Sequence, residues 1–287
     1  MSFVIHTDSA CDISPKLLKE WSVTCTSLTF RFNGDEREYS NNDMDEHTFY
    51  DKMREGCIAK TSAANISHFK DAFTPLLQEG KDILHLAFSS GLSTTCNSAK
   101  LAADELKEAY PERKIIVIDT LAASAGQGML VKLAVAKKND GASLEDTAAY
   151  ITEQCPHLAH WFTVDDLVYL KRGGRVSPTV AFVGNMLSIK PVLHVDDEGH
   201  LINMSKVRGR KSSIAALAKK YDELAIDPTA GPVYISHGDC LEDAKSLADL
   251  IEKKYGVKTE IITYVGTVIG AHSGPGTLAL FFLAKNR

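Results

Sequence analysis

Near the C-terminus a lone imidazole, His272, stands in Gly266-Thr267-Val268-Ile269-Gly270-Ala271-His272-Ser273-Gly274-Pro275-Gly276, a stretch with four glycines and a proline. Glycine leaves backbone N–H groups uncovered and proline stiffens a loop, so the segment has the chemistry of a fixed pocket wall that meets a ligand closely. A second candidate, Lys60-Thr61-Ser62-Ala63-Ala64-Asn65, opens a helical pattern whose apolar residues Phe69, Phe73, Leu76 and Leu77 recur at three- and four-residue spacing. Hydroxyls and free N–H groups gathered at a helix start suit an anion. A third, Ser89-Ser90-Gly91-Leu92-Ser93-Thr94-Thr95, follows an apolar strand pattern at 83–88 and precedes a long helix pattern at 96–106. In an α/β sheet, ligands collect where strands end and feed helices. Taken singly, each segment also reads as a turn or an ordinary Ser/Thr cap. The two hydroxyl-rich stretches nevertheless carry more hydroxyls than capping requires.

The elements that must position these residues alternate. Residues 2–5 read as a strand ending at Thr7-Asp8-Ser9, and 22–32 alternates polar and apolar residues at the period of a half-buried strand. Helix patterns at 46–54, 67–77, 96–106 and 124–136 interleave with apolar strands at 83–88 and 114–118. That order implies a parallel sheet covered by helices. Beyond a further helix pattern at 144–155 the composition changes. Strands at 190–195 and 200–207 joined by Asp196-Asp197-Glu198-Gly199 read as an antiparallel hairpin, and 233–236, 241–255 and 259–265 read as strand, helix and strand. The expected architecture is therefore α/β in two domains: residues 1–158 with a parallel sheet flanked by helices, and a smaller α/β domain with antiparallel strands at 159–287, the ligand lying between them.

Composition narrows the function. With 287 residues, 44% hydrophobic content and a formal charge of −5, the chain can bury a substantial core and lacks the overall basic balance of a nucleic-acid-binding protein. Lys206-Val207-Arg208-Gly209-Arg210-Lys211 places four cations in six residues, which reads as a solvated hairpin end or helix start or, with Lys171, Arg172 and Arg175, as one local basic patch. The apolar run 278–284 is far short of the roughly 20 residues of a membrane-spanning helix, and the N-terminus lacks a signal pattern. A cytoplasmic protein with no integral membrane segment is expected. The six cysteines form no C-x-x-C pair, so neither a metal cage nor a disulfide framework is expected. There is no G-x-x-x-x-G-K-[ST] loop for a kinase. Serine plus histidine can act as nucleophile and base, so Ser93 with His272 admits an alternative reading as a serine-dependent lipid hydrolase. Against it, Ser90-Gly91-Leu92-Ser93 is not the G-x-S-x-G elbow, and Asp8 and Asp119, the acids available to orient the imidazole, serve equally as helix caps or sheet braces.

The order and spacing of Thr7-Asp8-Ser9, Lys60-Thr61-Ser62, Ser89-Ser90-Gly91-Leu92-Ser93, Asp119-Thr120, Leu170-Lys171-Arg172-Gly173-Gly174-Arg175, Lys206 to Lys211 and the His272 segment resemble the DegV family. These are bacterial fatty-acid-binding proteins that serve as lipid-carrying subunits of fatty acid kinase. The resemblance covers essentially the whole chain. It departs where the family has proline and serine after the Thr-Ser pair, here Ala64 and Asn65, and where a glycine follows the last serine of the second motif, here Thr94. It implies that Thr61, Ser93 and His272 hold the carboxylate of a long-chain fatty acid, with Ser62, Gly91 and Gly270 supporting the pocket. It further implies that Arg172 and Arg208 meet the ATP-binding kinase subunit and the phosphate it transfers. The bound fatty acid is then the ligand, without cofactor or metal, and the chain has no catalytic residue of its own.

Such a ligand divides the work. Charge-assisted hydrogen bonds of about 1.5–3 kcal/mol each can fix the head group. At about 0.8 kcal/mol per methylene, a tail of about fourteen contributes roughly 11 kcal/mol before ordering costs. The apolar stretches 179–187 and 277–282 are the expected tunnel walls, although either also reads as ordinary core.

Overall fold

The computed structural model describes residues 2–176 and 188–287. Three sheets organise them. Phe3–Asp8 pairs in parallel with Thr24–Thr26 and Asp82–Ala87, and Ile115–Asp119 pairs in parallel with Asp82–Ala87 to complete a four-stranded sheet. Asp82–Ala87 is buried at every position, as a central parallel strand covered on both faces should be. The helices read at 46–54, 67–77, 96–106, 124–136 and 144–155 are present as Glu46–Arg54, Ile66–Gln78, Thr95–Ala109, Ser124–Asn139 and Leu144–Gln154.

A six-stranded sheet forms the second domain, in the order Leu201–Arg208, Ile189–Val195, Leu158–Thr163, Leu278–Leu283, Val233–His237, Ile261–Tyr264. Neighbours are antiparallel except the last pair, which runs parallel through the crossover helix Leu241–Tyr255. The expected hairpin is there, its register shifting between Asn203 and Ser205.

The third sheet corrects the reading of 22–32 as one strand. Thr24–Thr26 joins the parallel sheet, whereas Thr29–Phe32 turns away to pair antiparallel with Tyr39–Ser40 and Ala59–Ser62. Between them, the Leu28 N–H donates to Ser9 Oγ and its carbonyl accepts from Asn41 N–H, which breaks both ladders. Phe30 and Phe32 are then buried against Phe49 and Tyr50 in a separate small core.

One helix binds the two large sheets together. Ser124–Asn139 is buried at every position from Ser124 to Val131 and touches strands of both sheets. Small residues make that approach possible: a Cβ on Gly126 would lie 2.6 Å from His160 Nε2 and 2.7 Å from Phe281 Cδ1, and one on Gly128 would lie 2.5 Å from Ile13. A single core runs from Ile5, Leu84 and Leu86 through Met129 and Leu130 to Phe162, Tyr234 and Phe281. Among the described residues no helix is long and apolar enough to cross a membrane.

Candidate functional site

Between the sheets lies a cavity of about 350 Å³, within the range of small-molecule sites. Its floor is the face of the six-stranded sheet. Along Leu278–Leu283, Ala279 and Phe281 face the cavity while Leu278, Leu280 and Phe282 enter the core behind, the two-residue alternation of a strand. His160 and Phe162 on the neighbouring strand and Ser236 beyond complete the floor. The opposite wall comes from the carboxyl ends of the parallel strands, with Leu28, Phe88, Leu92 and Ala123, and from Val268 and Ile269. Of the two apolar stretches expected as walls, 277–282 supplies Thr277, Ala279 and Phe281, and 179–187 lies outside the described residues.

Thr61, Ser62, Ser93, Arg175 and His272 line this same cavity. Thr61 Oγ1 is 2.8 Å from His272 Nε2. Burial, and secondarily the Arg175 charge, lowers the His272 pKa to about 4, so the ring is neutral near neutral pH. With its proton on Nε2 the imidazole donates to Thr61, which frees the threonine O–H to donate to an anion in the cavity. That tautomer is the one an anion-holding role requires. Ser93 Oγ accepts from the Thr95 N–H and lies 2.8 Å from Thr95 Oγ1.

Local structure places these residues differently from expectation. Lys60-Thr61-Ser62 is not a helix start: Thr61 sits on the strand Ala59–Ser62, opposite Phe30. The helix begins at Ile66, capped by Asn65, whose Oδ1 accepts from His68 N–H while His68 Nδ1 accepts from Asn65 N–H. The residue that departs from the family pattern thus acts as the cap. Nor is the His272 segment a loop, since Thr267–Ser273 is helical and carries the imidazole in its last turn. Gly270 does not line the cavity: a Cβ there would come within 2.9 Å of Tyr50 Cζ, so the glycine lets the helix settle on Tyr50, whose Oη donates to the Val265 carbonyl. Gly91 is likewise behind the wall, where a Cβ would lie 2.7 Å from Glu198 O and 2.8 Å from Gly199 O in the hairpin turn.

Arg175 is the site residue that spacing alone did not single out. The helix Val168–Arg172 ends with Gly174 N–H bonded to Lys171 O and Arg175 N–H bonded to Leu170 O, the Schellman pattern, with Gly174 at φ +68. That turn brings Arg175 to the cavity, where its Nε donates to Leu92 O and its Nη1 to Gly173 O. Gly173 makes room for the imidazole, because its α-carbon lies against the His272 ring, where a Cβ would overlap Nδ1. Arg172 and Arg208 are exposed and do not line the cavity; the Arg172 guanidinium lies 5.7 Å from the Tyr169 ring centroid.

The hydrolase geometry is missing. Ser93 and His272 share no hydrogen bond among the described residues, and His272 Nδ1 has no carboxylate partner. Asp8 accepts from Ala10 and Phe88 N–H groups and Asp119 from Ser90 and Leu121 N–H groups, so both brace loops. The one grouping of possible metal ligands among the described residues, His47, Asp51 and Asp239, already holds the Arg54 guanidinium, at 2.8 Å from Asp51 and 2.6 Å from Asp239.

A family model described as "Uncharacterised protein, DegV family" matches residues 2–285. A DegV domain-containing protein of Clostridium perfringens is 44% identical over 288 residues, which cover 99% of this chain and 98% of that protein. Among solved structures, a DegV lipid binding protein of Thermotoga maritima shares 31% identity at a TM-score of 0.88, covering 100% of both chains. A fat acid (stearic acid)-binding protein of Eubacterium ventriosum shares 27% identity at a TM-score of 0.89, covering 99% of this chain and 98% of its own.

Proposed function

The chain belongs to the DegV family, and from that premise we propose that it buries one free long-chain fatty acid between its two domains, which meet near residue 158, and presents the carboxylate to a separate ATP-dependent kinase. The carboxylate rests on Thr61, Ser93 and His272, with Arg175 as the cation beside it, and Ser62, Gly91 and Gly270 shape the surroundings. On the kinase a carboxylate oxygen takes the γ-phosphoryl group of ATP, ADP leaves, and the acyl phosphate is the product. Arg172 and Arg208, exposed and outside the cavity, are the residues that meet that partner and its phosphate. Guanidinium groups suit such a contact because they grip phosphate with two parallel hydrogen bonds. A partner that uses ATP places this exchange in the cytoplasm.

One observation carries the reading: a mostly apolar cavity whose lining also includes Thr61, Ser93, His272 and Arg175. The apolar walls suit a tail, and a neutral imidazole backed by an arginine suits a carboxylate. Native mass spectrometry after gentle purification tests it. One fatty acid per chain is the expected mass difference, and a sugar, nucleotide or metal ion in its place overturns the proposal.

A further inference from the structure

The cavity wall carries a second polar group apart from the carboxylate residues. Ser124 Oγ and Ser236 Oγ, both on lining residues, stand 2.9 Å apart, and Ser124 Oγ is 2.5 Å from Asp12 Oδ2. The three make a chain from a buried carboxyl to the cavity. Ser124, at φ +55, opens the helix Ser124–Asn139, and Ser236 is fully buried on the cavity side of its strand, opposite Ala279. Ser236 Oγ has no hydrogen-bond partner other than Ser124 among the described residues. A hydroxyl offers one donor and two acceptor positions, so part of this capacity is unused inside the cavity. A plain hydrocarbon tail lying there would leave it unanswered.

Asp12 sets the direction of the chain. The Ser124 O–H donates to Asp12 Oδ2, so Ser236 donates to Ser124 and turns a lone pair to the cavity. Burial pushes the Asp12 carboxyl up to about 8, and in its acid form the chain reverses and the Ser236 O–H is left as a donor. A ligand hydroxyl satisfies either direction, because it both donates and accepts.

The position fits a tail rather than a head group. Gly266, where a Cβ would lie 2.5 Å from Asp12 Oδ1, precedes the helix that carries His272 in its last turn. At about 1.5 Å per residue the first and last turns of that helix are roughly 9 Å apart, so the Asp12 end of the serine chain and the imidazole stand at opposite ends of it. We propose that the cavity takes a long-chain acid bearing an oxygen function part-way along its tail, a hydroxyl above all, with Ser236 and Ser124 as that oxygen's hydrogen-bonding partners. This rests on the fatty-acid reading above and narrows its ligand class.

The test is a binding titration of the full chain with stearic acid and with mono-hydroxystearic acids whose hydroxyl steps along the chain. At one position the hydroxy acid should bind about fivefold tighter than stearic acid, the fold-change of one net hydrogen bond. Ser236→Ala should bring that ratio to about one. Ser236→Cys, which keeps the volume while weakening the hydrogen bond, gives the same reading if the alanine variant folds poorly. Stearic acid bound as tightly as every isomer, or a preference that survives both substitutions, overturns the inference while leaving the fatty-acid reading intact. Failure of the wild-type chain to bind stearic acid and all its hydroxy isomers overturns both.

Discussion

Replacing Gly173 with alanine should disarm the head-group site without removing a single polar atom. The backbone there is right-handed helical, φ −72 and ψ −13, so alanine meets no conformational penalty of its own. The obstacle is His272: a Cβ would lie 3.1 Å from the ring Cγ, 3.3 Å from Cε1 and closer still to Nδ1, where carbons at rest keep about 3.5–4.0 Å. The helix bearing His272 cannot retreat, because Gly270 already seats it against Tyr50. The ring must therefore swing by about 1 Å, which carries the 2.8 Å contact with Thr61 past the roughly 3.5 Å reach of a hydrogen bond. What is lost is one hydrogen bond between neutral partners, about 0.5–1.5 kcal/mol, or roughly a two- to tenfold fall in fatty-acid affinity. Overpacking also costs stability, about 1–3 kcal/mol, so the titration should be paired with circular dichroism to confirm folded protein. Folded Gly173→Ala protein that binds fatty acid as tightly as wild type would refute the reasoning. Gly174→Ala attacks the same site by another route, straining the φ +68 turn that aims Arg175.

Thr61→Ala and Ser93→Ala should each weaken fatty-acid binding by about 1–3 kcal/mol in the same titration yet still load at high ligand concentration, because tail burial contributes most of the affinity; complete loss with the fold intact would show that the head group dominates. Arg172→Ala and Arg208→Ala should leave lipid titrations nearly unchanged and lower acyl-phosphate formation in a coupled assay with the kinase. Loss of lipid loading would move them into the pocket, and silence in the coupled assay would end the docking assignment. The purified chain should not turn over p-nitrophenyl esters above background; Ser93-dependent turnover would revive the hydrolase reading. Because the His272 pKa is lowered to about 4 in the folded chain, its contribution to stability is complete above the unfolded value of about 6.5 and is lost as pH falls toward 4. A bound carboxylate should raise that pKa, so the ligand-induced rise in Tm should grow as pH is lowered from about 6.5 toward about 4 and grow less in His272→Gln, whereas an equal pH response in the two chains would remove the carboxylate from the ring.

Legibility in the sequence followed the strength of local signals. The helices Glu46–Arg54, Ile66–Gln78, Thr95–Ala109 and Leu144–Gln154 were readable because one face of each is solvated, and the hairpin by its polar turn Asp196-Asp197-Glu198-Gly199. Leu158–Thr163 was not, since a strand buried at every position shows no alternation. The cations that open Arg210–Leu224 fit a hairpin end as well as a helix start, and without a side-chain cap nothing in the run decides between them. Thr61, Ser93 and His272 were found by chemistry and resemblance, and all three line one cavity, although the elements carrying Thr61 and His272 were misread. The two-residue alternation of 22–32 persists across the point where the chain changes sheet, so no periodicity could reveal the strand that Thr61 pairs with. Arg172 and Arg175 look alike in sequence. What separates them is a helix end that turns Arg175 to the cavity and leaves Arg172 at the surface.

The residues proposed for the head group come from four separate places: the small antiparallel sheet, the loop after a parallel strand, the helix Thr267–Ser273 and the turn after Val168–Arg172. The proposed site therefore exists only when the sheets are docked. Hydrogen bonds behind the cavity wall help to make that docking. Asn41 Oδ1 accepts from Val268 N–H and Thr267 Oγ1, Thr263 Oγ1 donates to Asp12 O, and Arg54 donates to Asp239 from the helix Glu46–Arg54. Because these contacts hold the cavity's shape, the ligand proposed above would not have to order it, and more of the free energy of tail burial would be left for affinity. The same logic separates two kinds of substitution. Changes at Asn41 or Arg54 should lower stability and affinity together, while changes at Thr61 or Gly173 should act mainly on affinity, because the latter two meet the His272 ring proposed to serve the carboxylate.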